Sequence, residues 1–188
     1  MIDIEEQKKH FKNHIATFQN LGEIKILDFK NPESCNYFVR FLFDESLYRL
    51  HISGDLGELT ATNYRNMTYK DFWDFVVSPT YFIRKIDCCS RKIYEYNEEK
   101  AVSDLKKYFK EYNWIYQKEG YGSLDECMSD ILEDFTTLDG INQNGLEILS
   151  RFEPDAWEFC SNIGKKSTGI IELYLLAFEL AVKQLKEA

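Results

Sequence analysis

Residues 37–62, YFVRFLFDESLYRLHISGDLGELTAT, carry the only dense β-branched and aromatic alternation in the chain. A period of two is the period of a strand, and it fixes which side chains share a face. Tyr37, Val39, Phe41 and Phe43 fall on one side, and Phe38, Arg40 and Leu42 on the other. Asp44-Glu45-Ser46 makes a tight connection, and Leu47 to Ser53 reads as the returning strand. Gly54-Asp55-Leu56-Gly57 then turns the chain into a further strand, Glu58 to Asn63. Residues 23–30, EIKILDFK, alternate as well, and Asn31-Pro32-Glu33-Ser34 is a turn between the two regions. The expectation is an antiparallel meander of three to four strands.

The flanks read as helices. Residues 3–20 place Ile4, Phe11, Ile15 and Phe18 at near-helical spacing, with Asp3 as the cap and Gly22 as the end. Residues 68–77 read as a short helix capped by Thr68, with Asp71 as its box partner. Residues 81–86 fit a strand or a short helix, with helix favoured, and Cys88-Cys89-Ser90-Arg91 reads as a hinge. From residue 98 the periodicity is helical throughout. Helices are expected over 98–112, 123–137, 144–151, 154–163 and 168–188. The fold class is therefore α+β, with an N-terminal helix, an antiparallel sheet and a helical C-terminal half. Residues 1–94 form the sheet region, and 95–188 form an acidic helical region expected to pack with it as one unit.

Charge separates the two halves. Residues 1–94 hold thirteen acidic and thirteen basic side chains, so the whole net charge of −9 belongs to the second half. Residues 119–158 alone carry eleven carboxylates and one cation, Arg151. Such a field repels free nucleic acid and attracts a basic protein surface. The start of the chain is acidic and polar, unlike a secretory signal, and no apolar run is long enough for a bilayer. Five irregularly spaced cysteines fit free thiols in a reducing cytoplasm. No membrane partner is expected.

Motifs for familiar chemistry are missing. There is no HExxH, no phosphate loop, no EF-hand loop and no CxxC, so neither a metal nor a cofactor is predicted. His10 and His14, four residues apart beside Glu6, fit a solvated helix face better than a metal site. His51 is the one histidine in the sheet. A nucleophilic site would have to use it, with Ser53 or Cys35 as nucleophile and Asp55 as orienter. The turn Gly54, Asp55 and Gly57 offers an exposed carboxylate to a metal or partner, or else an Asp that caps its own backbone. Arg84, Lys85, Arg91 and Lys92 form one basic patch among aromatics. The sharpest candidate is the acidic set Asp125, Glu126, Asp130, Glu133, Asp134, Glu153 and Asp155, with Trp157, Trp114 and Tyr121 as aromatic anchors. Asp130, Glu133 and Asp134 repel one another on one helix side by a few tenths of a kcal/mol per pair. A cationic partner would relieve that repulsion.

Tyr37-Phe38-Val39-Arg40-Phe41, Ile52-Ser53-Gly54-Asp55-Leu56-Gly57-Glu58 and Tyr81-Phe82-Ile83-Arg84-Lys85 resemble segments of small proteins encoded by phages and prophages. That setting includes inhibitors of host defence, such as anti-CRISPR proteins. The resemblance covers residues 36–92 and implies a non-enzymatic, protein-binding inhibitor in the host bacterial cytoplasm. Its partner would be a CRISPR effector or another nuclease, blocked by an acidic surface that mimics DNA. It assigns no functional residue. The expectation is thus a binding protein without catalytic residues. A homodimer is compatible with it. The alternatives are a small enzyme built around His51 or a housekeeping interaction protein.

Overall fold

A strand alternating apolar and polar residues is stable only when its apolar side meets a second layer. The computed structural model, which describes residues 3–187, supplies that layer from the segment after β5 and from the last helix. Six strands run antiparallel in chain order: β1 (Ile15–Leu21), β2 (Ile24–Lys30), β3 (Val39–Asp44), β4 (Arg49–Gly54), β5 (Leu59–Thr62) and β6 (Ile86–Cys89). The sheet is thus wider than the three to four strands expected.

One face is core. Phe29 and Leu27 of β2, Val39, Phe41 and Phe43 of β3, Leu50 and Ile52 of β4, and Leu59 and Ala61 of β5 are all buried. They meet Met67 and Phe72, then Phe75 of α2 (Trp73–Val76) and Phe82 of α3 (Pro79–Ile83). The last helix, α7 (Ile170–Glu187), completes the layer through Ile171, Tyr174, Leu175, Phe178 and Val182. Phe178 touches the rings of Phe41, Phe43, Tyr69 and Phe72. The opposite face of the sheet presents Thr17, Ile26, Asp28, Arg40, His51 and Thr60. Asp28 is buried there under a two-pronged pair with Arg40, whose Nε and Nη2 each donate over 2.7 Å.

The N-terminal segment departs from expectation. A short helix, α1 (Ile4–His10), ends early, and residues 15–21 form the edge strand β1. Asp3 caps α1 as foreseen, accepting from the N–H groups of Glu5 and Glu6. Ile15 and Phe18 are three apart, the spacing of one helix face, whereas in the strand they stand on opposite faces. Gly22 decides the matter. It has φ +79° and opens a two-residue hairpin turn that sets Leu21 opposite Ile24. His14 therefore does not share a helix face with His10.

Four other elements differ from the sequence reading, among them the helix expected over 123–137, which ends at Ile131. Thr68 and Asp71 do bond to each other, but they close a turn ahead of the helix, which begins at Trp73. Cys88-Cys89 is not a hinge but the end of β6. Residues 154–163 are two 3-10 turns, Ala156–Glu158 and Cys160–Asn162, rather than one helix.

The chain divides into two compact units. One holds the chain up to Ile93 and from Thr168 onward, and the other is Tyr94–Ser167. The helices after residue 95 therefore do not stay together, because α7 belongs to the sheet's core. The second unit opens and closes on a two-stranded ribbon, β7 (Tyr94–Tyr96) with β8 (Lys165–Ser167). Between them lie α4 (Glu98–Glu111), α5 (Leu124–Ile131) and α6 (Gln143–Phe152). Ala101, Leu105 and Phe109 of α4 pack with Cys127, Met128 and Ile131 of α5 and with Ile148 and Leu149 of α6.

Candidate acidic groove

The acidic set is held by a tightly capped helix. Ser123 Oγ accepts from the N–H of Glu126, and the Glu126 carboxylate accepts from the N–H of Gly122. Glu126 is thus spent on the helix start, where a carboxylate also suits the positive end of the dipole. Inside α5 the apolar stripe Cys127, Met128 and Ile131 turns to the core. The Cys127 thiol is pushed up to about 11, chiefly by burial and then by Asp130, Glu119 and Glu126, so it is a packing group and not a nucleophile.

Asp125 and Asp130 of α5 stay exposed, and Glu133 follows just past the helix, which ends at Ile131. They line a surface groove of about 450 Å³ together with Glu98 and Val102 of α4, Met128, Ser129 and Leu132. Its walls carry four carboxylates, and three apolar side chains line it between them. Among the described residues, no ion pair engages any of these four carboxylates. The Glu133 carboxylate accepts only a long contact from Asn144 Nδ2, at 3.4 Å.

The other predicted residues do not join the groove. Asp134 follows the helix with φ +57°, and its side chain is exposed. Glu153, Asp155 and Trp157 sit at and beyond the end of α6, and Trp157 is 62% exposed. Trp114 lies half-buried in an aromatic cluster with Tyr108, Tyr112, Phe152 and Phe159. Tyr121 is held near Asp130, and burial raises its hydroxyl above its ordinary value. Helical spacing pointed to Asp130, Glu133 and Asp134; the groove keeps the first two and takes Asp125 from the rest of the acidic set, because the helix ends at Ile131 and the chain turns at Asp134. Glu98 and Val102 come from another helix, and no local pattern announced them.

The glycine-framed turn proves to be a fastening. The Asp55 carboxylate accepts from the N–H of Tyr37, a residue held at φ +58°, and the Asp55 N–H donates to the Phe38 carbonyl. A Cβ on Gly54, with φ +141°, would lie 2.1 Å from the Phe38 oxygen. The N–H of Glu58 donates to Ser90 Oγ, and the Tyr174 hydroxyl donates to the Leu56 carbonyl over 3.0 Å. The turn thus ties β3, β6 and α7 together, and its carboxylate is occupied. His51 is exposed, and its Nδ1 lies 3.3 Å from Thr60 Oγ1. Asp55, the orienter proposed for it, is committed to Tyr37.

His10 and His14 have separate surroundings. His10 stacks on Tyr37 at 4.5 Å. His14 is buried against Phe11 and Phe29, and among the described residues neither ring nitrogen has a partner in full hydrogen-bond geometry. Among the described residues, no cluster of His, Cys, Asp or Glu could hold a metal ion. Among the described residues, no helix is long and apolar enough to cross a membrane. Comparison with family models, curated proteins and solved structures finds no match to this chain. The groove between α4 and α5 must therefore be interpreted from its own chemistry.

Proposed function

We propose that this chain is a binding protein whose α4–α5 groove receives a basic, amphipathic segment of a partner protein. The groove itself is the observation that carries the reading: apolar side chains between unpaired carboxylates. Val102, with the rims of the buried Met128 and Leu132 beside it, asks for a partner's apolar contact, and four acids ask for lysine or arginine beside it. Nucleic acid is disfavoured at this place, because phosphates would meet Glu98, Asp125, Asp130 and Glu133. The resemblance to phage-encoded proteins adds a more specific version. In it, the basic segment belongs to a host defence nuclease, and binding blocks that enzyme's nucleic-acid groove.

Two labelled peptides test the reading by fluorescence anisotropy, a lysine–leucine amphipathic helix and an all-lysine control. The amphipathic helix should bind more tightly than the control and weaken as salt rises. Reversing Asp125, Asp130 and Glu133 to lysine should abolish that binding with the circular dichroism unchanged. Equal binding of both peptides, or binding that survives the reversal, would remove the groove as the site. A guide-RNA-dependent nuclease, assayed for cleavage with and without the protein, tests the more specific version.

A further inference from the structure

We infer that β1 is an open edge through which two copies of this chain pair antiparallel across a two-fold axis. The two edges of the six-stranded sheet differ. β6 is four residues long, carries Asp87 and meets β5 with a register shift between Thr60 and Ala61. Shortness, charge and irregularity keep an edge from recruiting another strand. β1 has none of these. It is seven residues long, its register with β2 is unbroken, and IATFQNL contains neither a charge nor a proline. Every residue in it except Ala16 is exposed, including Ile15, Phe18 and Leu21.

The free backbone groups can be assigned. The Ala16 N–H donates to Gln184 Oε1 of α7 over 2.6 Å, so it points away from β2. Alternation along an antiparallel strand then turns the N–H and C=O of Phe18 and Asn20 the same way, toward solvent. Gln184 already occupies the edge at Ala16. The register left to a second copy is centred on Gln19, with Phe18 opposite the second copy's Asn20 and Leu21 opposite its Thr17. Gln19 then faces Gln19 on the axis.

Charge favours a second copy as the occupant. No like charges meet within the paired strands, and the two-fold makes each pairing reciprocal, Phe18 with Asn20 and Thr17 with Leu21. One strand pair of this length buries less than the roughly 1,000 Å² that a stable interface clears. The dimer is accordingly weak and dependent on concentration.

Sedimentation of the full chain, from dilute to near-millimolar concentration, should show the mean mass rising from one chain toward two. Gln19→Lys and Gln19→Glu each set a like charge against itself on the axis. Each variant alone should stay monomeric at the highest concentration, with its circular dichroism intact. An equimolar mixture of the two should recover the dimer, because lysine now faces glutamate. A wild-type chain that remains monomeric throughout overturns the inference. A Gln19→Lys variant that dimerises as before, or a mixture no heavier than its components, overturns it too.

Discussion

His14 is a polar residue in an apolar place. It lies between Phe11 at the end of α1 and Phe29 on β2, and among the described residues neither ring nitrogen has a partner in full hydrogen-bond geometry. Burial holds it below its ordinary value of 6.5, and the backbone of Tyr37 and Asn36 pulls weakly the other way. No charged side chain contributes to the shift. Phe11, which touches the His14 ring, also touches Tyr37, on which His10 stacks. Folding therefore favours the neutral ring, and the unfolded chain binds the proton more readily. This contribution is fully present above the unfolded value. It falls as pH drops from there to the lowered folded value, below which it changes no further. Urea unfolding should accordingly give a midpoint that falls on acidification through the mid-6 range. His14→Phe, which keeps the ring and removes the titration, should flatten that part of the profile. A variant that keeps the wild-type slope would assign the effect to other groups.

At the scale of elements, magnitudes show what fastens α7 to the sheet. Tyr174 donates one hydrogen bond, to the Leu56 carbonyl, whereas Phe178 sits fully buried among four aromatic rings. A single neutral hydrogen bond contributes about 1 kcal/mol net, while truncating a buried phenylalanine to alanine costs about 3–5 kcal/mol. Tyr174→Phe should therefore cost about 1 kcal/mol and Phe178→Ala at least three times as much, read from urea midpoints. Equal losses would mean that the turn, not the packing, anchors the helix. The same contrast separates what was legible in the sequence from what was not. Strands β2 to β5 and helices α4 and α7 announce themselves, because a long periodic stripe faces a single core. β1 did not, since Ile15 and Phe18 stand three apart, the spacing of a helix face, and in the strand they fall on opposite faces. β6 was hidden because Asp87, Cys88 and Cys89 carry no strand preference, and only pairing with Leu59 and Thr60 makes them a strand. In the groove, helical spacing showed Asp130 and Glu133, and the run of acidic residues showed Asp125. Glu98 arrives through packing that only the folded chain defines.

The whole molecule is organised as one unit inserted into another. The first unit is left at Ile93 and re-entered at Thr168, and these residues are neighbours: the Thr168 N–H donates to the Ile93 carbonyl over 3.0 Å. Thr168 Oγ1 also donates to the Lys92 carbonyl over 2.6 Å. The inserted residues have their own closure, since Tyr94 pairs with Ser167 and Tyr96 with Lys165. Each unit has its own core, with Phe41, Phe72 and Phe178 in one and Leu105, Ile131 and Leu149 in the other. The charge follows the insertion, as residues 119–158 all lie within it. Surface loops tolerate long insertions because closing a longer loop adds little entropy cost, about 0.6 kcal/mol for each doubling of its length. Excision should therefore be tolerated as well. Joining Ile93 to Thr168 through two glycines should leave a chain that melts cooperatively and retains mixed helix and strand ellipticity. It should lose binding to the basic amphipathic peptide while keeping self-association at β1. Ending the chain at Ser167 instead removes α7, and with it Tyr174 and Phe178 from the core. That truncation should expose the apolar face of the sheet and abolish cooperative melting. If the excised and the truncated chains unfold alike, the insertion is a structural part of the sheet unit rather than a guest within it.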